Sequence, residues 1–118
     1  MTVQERVKPL VTIYIPTHNR VELLRRAVRS VLDQDYTNIE LIVVDDCSLD
    51  ETPEYLEDIS VRDSRVVYMR NEANRGACHS RNRAIESATG RFITGLDDDD
   101  YFLPGRISHF LDFWDKKE

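Results

Sequence analysis

An α/β fold with a doubly wound, mostly parallel sheet and helices on both faces is the architecture that this sequence predicts. Four short apolar segments alternate with segments whose apolar residues recur at helical spacing. One segment, 39–44 (IELIVV), is apolar at nearly every position, as in a strand covered on both faces. Because a strand, a helix and a strand in sequence are joined by a right-handed crossover, we expect the strands to be parallel.

A strand and a helix are predicted before the segment 39–44. Residues 11–15 (VTIYI) are β-branched or aromatic and are followed by Pro16, which is typical of a buried strand that ends in a loop. Asn19 and Glu22 have the spacing of a capping box, so Asn19 is predicted to cap a helix. The apolar face of that helix consists of Leu24, Ala27, Val28, Val31 and Leu32.

A short helix and a third strand are predicted next. Thr52 is placed to cap the helix, and Pro53 occupies the first helical position, where proline is favoured. The helix continues over 54–59, and the third strand spans 65–69.

The last part of the chain predicts a helix, a fourth strand and a final helix. A helix over 74–90 ends at Gly90, and the fourth strand covers 91–94. Pro104 opens the final helix, whose apolar residues again recur at helical spacing. The inner faces predicted for the two helices are Ala77, Arg81, Ala84, Ile85 and Ala88, and Ile107, Phe110, Leu111 and Trp114.

Composition limits the class of protein. With 41% apolar and 32% charged residues, the 118-residue chain is typical of one soluble globular domain, 1–118. Its 22 acidic and 16 basic residues give a net charge of −6 without a basic stripe, so no nucleic acid partner is expected. Cys47 and Cys78 lack metal-ligand spacing and are predicted to be small buried residues in a reducing compartment. We therefore expect a cytoplasmic protein, either free or peripheral to the inner face of the membrane.

Three polar loops follow predicted strands, at 16–19, 45–48 and 97–100. The carboxyl ends of parallel strands meet at one edge of a sheet, where doubly wound folds bind their ligands. We therefore expect the three loops to surround one crevice.

The run Asp97–Asp100 places four carboxylates in a row. Two ionised groups ~5 Å apart repel by about 3 kcal/mol at an effective dielectric near 20, so a bound cation would be stabilising. If the segment is extended, Asp97 and Asp99 lie on one side, about 6–7 Å apart at Cα. Both could then reach one Mg²⁺ or Mn²⁺ that also holds a diphosphate. The alternative to a metal site is that the four aspartates form a solvated acidic loop or the N-terminus of a helix.

The other polar residues of these loops have a binding and a structural interpretation each. Asp46 is predicted to accept hydrogen bonds from a ribose or base, and Asp45 to accept them from loop N–H groups. His18 could stack on a base or remain solvated. Gly76 could let the backbone approach a ligand or simply form a turn. Arg81 is predicted to pair with a strand-end aspartate first and to contact a phosphate second.

Four segments of the chain resemble the inverting glycosyltransferases of family 2, which have the Rossmann-like GT-A fold. They are VTIYIPTHNR (11–20), SVLDQDYTNIELIVVDDCSLDET (30–52), NEANRGACHSRNRAIESATGRFITGLDDDD (71–100) and PGRI (104–107). The resemblance implies transfer of a sugar from a nucleotide-diphosphate sugar, with UDP favoured, in polysaccharide biosynthesis. The acceptor would be a hydroxyl of a glycan, a lipid-linked glycan or a protein.

By that resemblance, the first loop lines a nucleoside pocket, Asp46 bonds the base, and Asp98 lies nearest the ribose or sugar. Asp99 is the surest ligand of an Mn²⁺ or Mg²⁺ cofactor. The residues implied for nucleotide-sugar binding are Pro16, Thr17, His18, Asp46, Gly76, Arg81, Asp97 and Asp98, and those implied for the metal are Asp97 and Asp99.

Some features depart from the family pattern. Cys47 stands where the family often has glycine, and His18 where it often has tyrosine or phenylalanine. The family's domain is longer, and its catalytic base lies in the part that follows. We therefore expect a domain truncated after the D-x-D helix, without a catalytic residue. A non-catalytic nucleotide and metal-binding module is the alternative. The free edge of the fourth strand is expected to permit pairing with a second copy.

Overall fold

A computed structural model describes residues 8–117 of the chain, which form four strands and four helices in strict alternation. The strands are β1 (Val11–Thr17), β2 (Ile39–Asp45), β3 (Val66–Arg70) and β4 (Phe92–Gly95), and the helices are α1 (Val21–Leu32), α2 (Thr52–Arg62), α3 (Ala77–Ser87) and α4 (Arg106–Lys117).

The four strands form one sheet in the order β3-β2-β1-β4, and every neighbouring pair is parallel. The predicted α/β architecture is confirmed, and within residues 8–117 the sheet is entirely parallel. Thr17 lies opposite Asp45, and Asp45 opposite Arg70, so three strands end at the same edge. Because β1 lies between β2 and β4, the loop after β1 is placed between the two acidic segments.

The two faces of the sheet are covered unequally. The larger core packs the inner sides of α1, α2 and α4, including Val28, Leu56 and Ile107, against one face. On the other face, a small cluster joins Ile42 and Val44 to Ala84 of α3. The alternation of side chains along each strand therefore produces helices on both sides, as the buried segment 39–44 predicts.

The predicted cap of α1 is wrong. The helix begins at Val21, and its N-cap residue Arg20 makes no side-chain cap hydrogen bond. Asn19 has a left-handed backbone, with φ of 53°, and its Oδ1 accepts a hydrogen bond from the Leu49 N–H at 2.7 Å. The amide thus connects the loops after β1 and β2 instead of satisfying its own helix.

The face and the end of α3 also differ from the prediction. Its buried residues are Ser80 and Ala84, whereas Ile85 is exposed. The helix ends at Ser87, and Gly90 lies against β1, where a Cβ would stand 2.6 Å from Oγ1 of Thr12. Gly90 is therefore required by close approach to a strand and not by the end of a helix.

Helix α4 buries only part of its predicted apolar face. Ile107 and Leu111 are in the core, while Phe110 and Trp114 are 46% and 39% exposed. Both aromatic rings meet Phe92 edge to face, at centroid distances of 5.5 and 5.2 Å. None of the helices within residues 8–117 combines the length and the apolar character needed to cross a membrane.

Candidate functional site

The loop after β1 contacts both acidic segments. Thr17 Oγ1 donates a hydrogen bond to Oδ2 of Asp98 at 3.0 Å. His18 Nδ1 lies 2.7 Å from the backbone oxygen of Asp46, and its Nε2 lies 3.1 Å from the Asn19 amide nitrogen. Because a carbonyl oxygen can only accept, Nδ1 carries the hydrogen and Nε2 is the acceptor. The imidazole is thereby fixed at the edge of the sheet.

Asp45, the last residue of β2, has the structural role predicted for it. The residue is fully buried, its Oδ1 accepts from the Ser48 N–H at 3.1 Å, and its Oδ2 accepts from Arg70 Nη1 at 2.8 Å. A buried carboxylate is stable only with such partners. Asp45 therefore fixes the loop after β2 to the end of β3.

Asp46 organises the segment that leads into α3, a role that sequence analysis missed. Its Oδ1 accepts from the Asn71 amide at 2.9 Å and from the Arg75 N–H at 2.7 Å, and its Oδ2 accepts from the Gly76 N–H at 2.8 Å. Burial raises the pKa of Asp46, but these hydrogen bonds outweigh the effect of burial, so its pKa falls below the ordinary value. Contact between Asp46 and a nucleobase remains a prediction.

Gly76 permits the backbone shape that those hydrogen bonds require. Its φ of 92° and ψ of 163° lie in a region that is essentially restricted to glycine. A Cβ at this position would meet no atom within 4 Å, so conformation and not crowding by this chain requires the glycine.

The acidic run after β4 forms a turn, so the extended geometry assumed for it is wrong. The Asp100 N–H donates to the backbone oxygen of Asp97 at 3.0 Å, which closes the turn. Asp98 faces inward and is 7% exposed, whereas Asp97 and Asp99 are exposed. Asp97 and Asp99 are therefore accessible to solvent, while Asp98 is bonded to Thr17.

Two arginines at and near the start of α1 contact this turn. Arg20 Nη1 lies 3.2 Å from Oδ1 of Asp98 and 3.5 Å from Oδ2 of Asp99. Arg26 Nη2 donates to the backbone oxygen of Asp99 at 2.9 Å, and its guanidinium lies over the Tyr101 ring. Neither arginine was predicted to contribute, although Arg20 directly follows the loop 16–19 that was predicted to border the crevice.

The predicted crevice is present as a cleft of about 290 Å³ at the carboxyl ends of the strands. All three predicted loops contribute to it. Its lining comprises Pro16, Thr17, His18, Arg20, Asp46, Ala77, Ser80, Asp97, Asp98 and Asp99. A cavity of about 760 Å³ lies on the other side of the acidic turn and also includes Asp97, together with Arg106 and His109.

The ion pair predicted for Arg81 and the burial predicted for the two cysteines are both wrong. Arg81 is exposed on α3, and no ion pair within residues 8–117 joins it to a strand-end aspartate; Arg70 and Arg20 occupy those positions. Cys78 is exposed and Cys47 is half-buried, so neither is a buried core residue. Both cysteines lie near loops, where helix and strand packing does not cover them.

The donor chemistry of the acidic turn fits a hard divalent cation only in part. Asp97 and Asp99 offer exposed carboxylate oxygens, the ligands that Mg²⁺ and Mn²⁺ prefer. Residues 8–117 contain no group of three or more His, Cys, Asp or Glu arranged to hold a metal ion. A cation at the turn would therefore require water or ligand oxygens to complete its coordination.

Comparison with known proteins agrees with the fold. Residues 12–118 match the sequence model of Glycosyl transferase family 2. The chain is 50% identical over 105 residues to the putative colanic acid biosynthesis glycosyl transferase WcaA of Escherichia coli K12, covering 87% of this chain and 37% of that protein. The chain thus spans well under half the length of this relative.

Two solved structures share the architecture. S. aureus TarS 1-349 in complex with UDP has a TM-score of 0.83 and 28% identity, covering 90% of this chain and 32% of TarS 1-349. The mannosyltransferase PcManGT from Pyrobaculum calidifontis, in complex with GDP-Man and Mn²⁺, has a TM-score of 0.74 and 28% identity, covering 81% of this chain and 29% of that one.

Proposed function

This chain belongs to glycosyl transferase family 2, and on that premise we propose that it binds the nucleoside diphosphate of a sugar donor, with UDP favoured. The whole protein would transfer the sugar to an acceptor hydroxyl with inversion. A cytoplasmic location, which includes the inner face of the membrane, belongs to the same proposal. The UDP complex of the similar TarS 1-349 supports the nucleotide.

One observation carries the proposal: three loops from different strands line a single cleft at the carboxyl edge of a parallel sheet. The floor of this cleft is rigid, because Thr17 is bonded to Asp98 and the Asp46 carboxylate holds the Asn71–Gly76 segment. A site fixed before its ligand arrives loses little conformational entropy on binding. In this proposal, the imidazole of His18, which lines the cleft, stacks on the base.

In this proposal, Asp97 and Asp99 hold an Mn²⁺ or Mg²⁺ whose remaining ligands are diphosphate oxygens and water. When bound, such a cation stabilises the negative charge that develops on a departing diphosphate. The Mn²⁺ complex of the similar mannosyltransferase supports this assignment. Asp98, bonded to Thr17 and Arg20, is directed inward and would orient the ribose or sugar.

Calorimetric titration with UDP, in the presence and absence of Mn²⁺, tests the proposal. We expect Mn²⁺ to strengthen UDP binding by the parent and Asp99→Ala to remove that increase in affinity. Asp112→Ala is the matched control, because it removes one exposed carboxylate from α4 at a distance from the acidic turn. Equal affinity with and without Mn²⁺ would refute the metal assignment, and no binding in either condition would refute the nucleotide assignment.

A nucleotide-binding module without turnover is the second candidate. Beyond the acidic turn, Asp112 and Asp115 are exposed on α4, so the described part of the chain offers no inward-facing carboxylate there to act as a base. We expect the 118-residue chain to bind UDP and Mn²⁺ but to produce no glycosylated acceptor by mass spectrometry. Metal-dependent turnover by this chain would show that a base lies within it.

A further inference from the structure

The guanidinium of Arg20 occupies a bridging position between two carboxylates of the acidic turn. One nitrogen, Nη1, lies 3.2 Å from Asp98 Oδ1 and 3.5 Å from Asp99 Oδ2. Arg20 immediately precedes α1 and also lines the cleft. The guanidinium therefore compensates the negative charge of adjacent carboxylates, as a cation bound from solution would.

Arg20 is held weakly compared with its neighbours. Its side chain and that of Asp99 are both more than half exposed, at 52% and 55%. Exposed ion pairs of this kind contribute little stability, because water screens them and the long side chain must be ordered. The bond to Asp98 is longer than the 2.8 Å between Arg70 and Asp45 in the loop after β2.

The acidic turn does not depend on Arg20 for its shape. Thr17 bonds Asp98, the turn closes on itself through its backbone, and Arg26 bonds the Asp99 backbone oxygen while lying over Tyr101. Arg26 therefore fixes the backbone, and Arg20 contacts only carboxylates. Departure of Arg20 would change the charge of the turn and leave its geometry in place.

We propose that Arg20 is an exchangeable internal cation, which compensates the acidic turn in the metal-free protein and is displaced from Asp99 by the divalent ion. Asp99 is the carboxylate that Arg20 and the proposed metal site have in common. A divalent cation at Asp97 and Asp99 brings twice the charge of a guanidinium to Asp99, so it competes with Arg20 for that carboxylate. The released side chain stays in the cleft, next to the donor's phosphates. This inference rests on the proposed function, because it assigns the exchange to the same metal site.

Titration of Mn²⁺ alone, without nucleotide, tests the exchange. Because the metal no longer has to displace an internal cation, Arg20→Gln is expected to bind Mn²⁺ roughly three- to tenfold more tightly than the parent. Arg20→Lys, which keeps the charge, should bind like the parent. Arg25→Gln is the matched control: it removes the same charge from α1, but Arg25 pairs with Glu22 and not with the acidic turn.

Thermal melts provide a second measurement on the same variants. Without metal, Arg20→Gln should melt below the parent, and Mn²⁺ should raise its midpoint by more than it raises that of Arg25→Gln. Equal or weaker Mn²⁺ binding by Arg20→Gln than by Arg25→Gln overturns the proposal, as does the absence of Mn²⁺ binding in every variant. Failure of UDP binding with intact, Arg20-sensitive Mn²⁺ binding would count against the nucleotide assignment alone.

Discussion

The acidic pair after β2 and the acidic turn after β4 lie at the same edge of the sheet but are compensated differently. Asp45 and Asp46 are both nearly inaccessible, and each of their four carboxylate oxygens accepts a hydrogen bond from this chain. In the turn, Asp98 is satisfied, whereas Asp99 has one long contact with Arg20 and Asp97 has no side-chain partner within residues 8–117.

This difference separates structural from binding carboxylates more clearly than sequence position does. A carboxylate whose oxygens already accept hydrogen bonds from the chain stabilises a loop and has fewer acceptor positions left for a ligand. One that is exposed and uncompensated gains from an added cation. The acidic turn is therefore the part of the cleft where charge is available for ligand binding, and the acidic pair is the support around it.

The largest expected difference between the two segments is in the free energy of unfolding of their aspartate-to-alanine variants. Asp46→Ala leaves three donors without an acceptor, so we expect it to lower the free energy of unfolding by about 3 kcal/mol. Asp97→Ala removes a carboxylate that repels its neighbours, so we expect a change within about 0.5 kcal/mol. Urea unfolding followed by circular dichroism measures both. Similar losses in the two variants would remove the distinction between the segments.

Replacing the arginine partner of the acidic pair should likewise cost more stability than replacing the arginine partner of the acidic turn. Arg70→Gln leaves the buried Asp45 carboxylate without its ion pair, and we expect a loss of roughly 2 kcal/mol. Arg20→Gln removes a half-exposed guanidinium, and Thr17 still bonds the buried Asp98, so its cost in stability should stay below about 1 kcal/mol. Chemical denaturation in metal-free buffer gives both values, and a larger loss for Arg20→Gln would reverse the comparison.

Low pH should destabilise the fold by protonating Asp46 of the acidic pair after β2. Hydrogen bonds hold the pKa of Asp46 in the folded protein below that of an ordinary aspartate, so ionised Asp46 stabilises the fold above the ordinary, unfolded-state pKa. This contribution is lost as the pH falls through the lower, folded-state pKa. We expect the melting temperature of the parent to fall more steeply below pH 4 than that of Asp46→Asn. Parallel pH profiles for the two proteins would contradict a carboxylate role for Asp46.

The smallest expected effect is at Cys47, which follows the acidic pair with a left-handed φ of 63°. Glycine adopts this conformation without steric strain, so Cys47→Gly should unfold within about 1 kcal/mol of the parent. Valine is strongly disfavoured there, and Cys47→Val should lose about 1–2 kcal/mol. Melts of the two variants check this, and equal stability would show that the loop relaxes its backbone.

The sheet and its helices could be predicted because their signals are local. The buried run at 39–44 and the apolar spacing from Leu24 to Val31 depend on neighbours a few residues away. The errors are at Asn19 and Gly90, where the deciding partner is a distant loop or strand. Leu49 and Thr12 determine these two positions, and nothing next to them in sequence indicates it.

The location of the cleft could also be predicted, because parallel strands bring their following loops together. The separate roles of the aspartates could not be predicted, because they depend on which hydrogen-bond donors reach each carboxylate. The amide of Asn71 comes from the loop after β3, 25 residues after Asp46, and Arg20 reaches the turn from 78 residues away. Only Asp45 was assigned the role that its contacts confirm.

The hydrogen bond between Thr17 and Asp98 spans 81 residues and connects the first strand of the sheet with the last. Long-range contacts form late in folding, because a long stretch of chain must be closed before they stabilise anything. During synthesis on the ribosome, β1, β2 and β3 can associate while the cleft still lacks one wall. Nucleotide binding by the growing chain would therefore begin only after β4 and the acidic turn had left the exit tunnel.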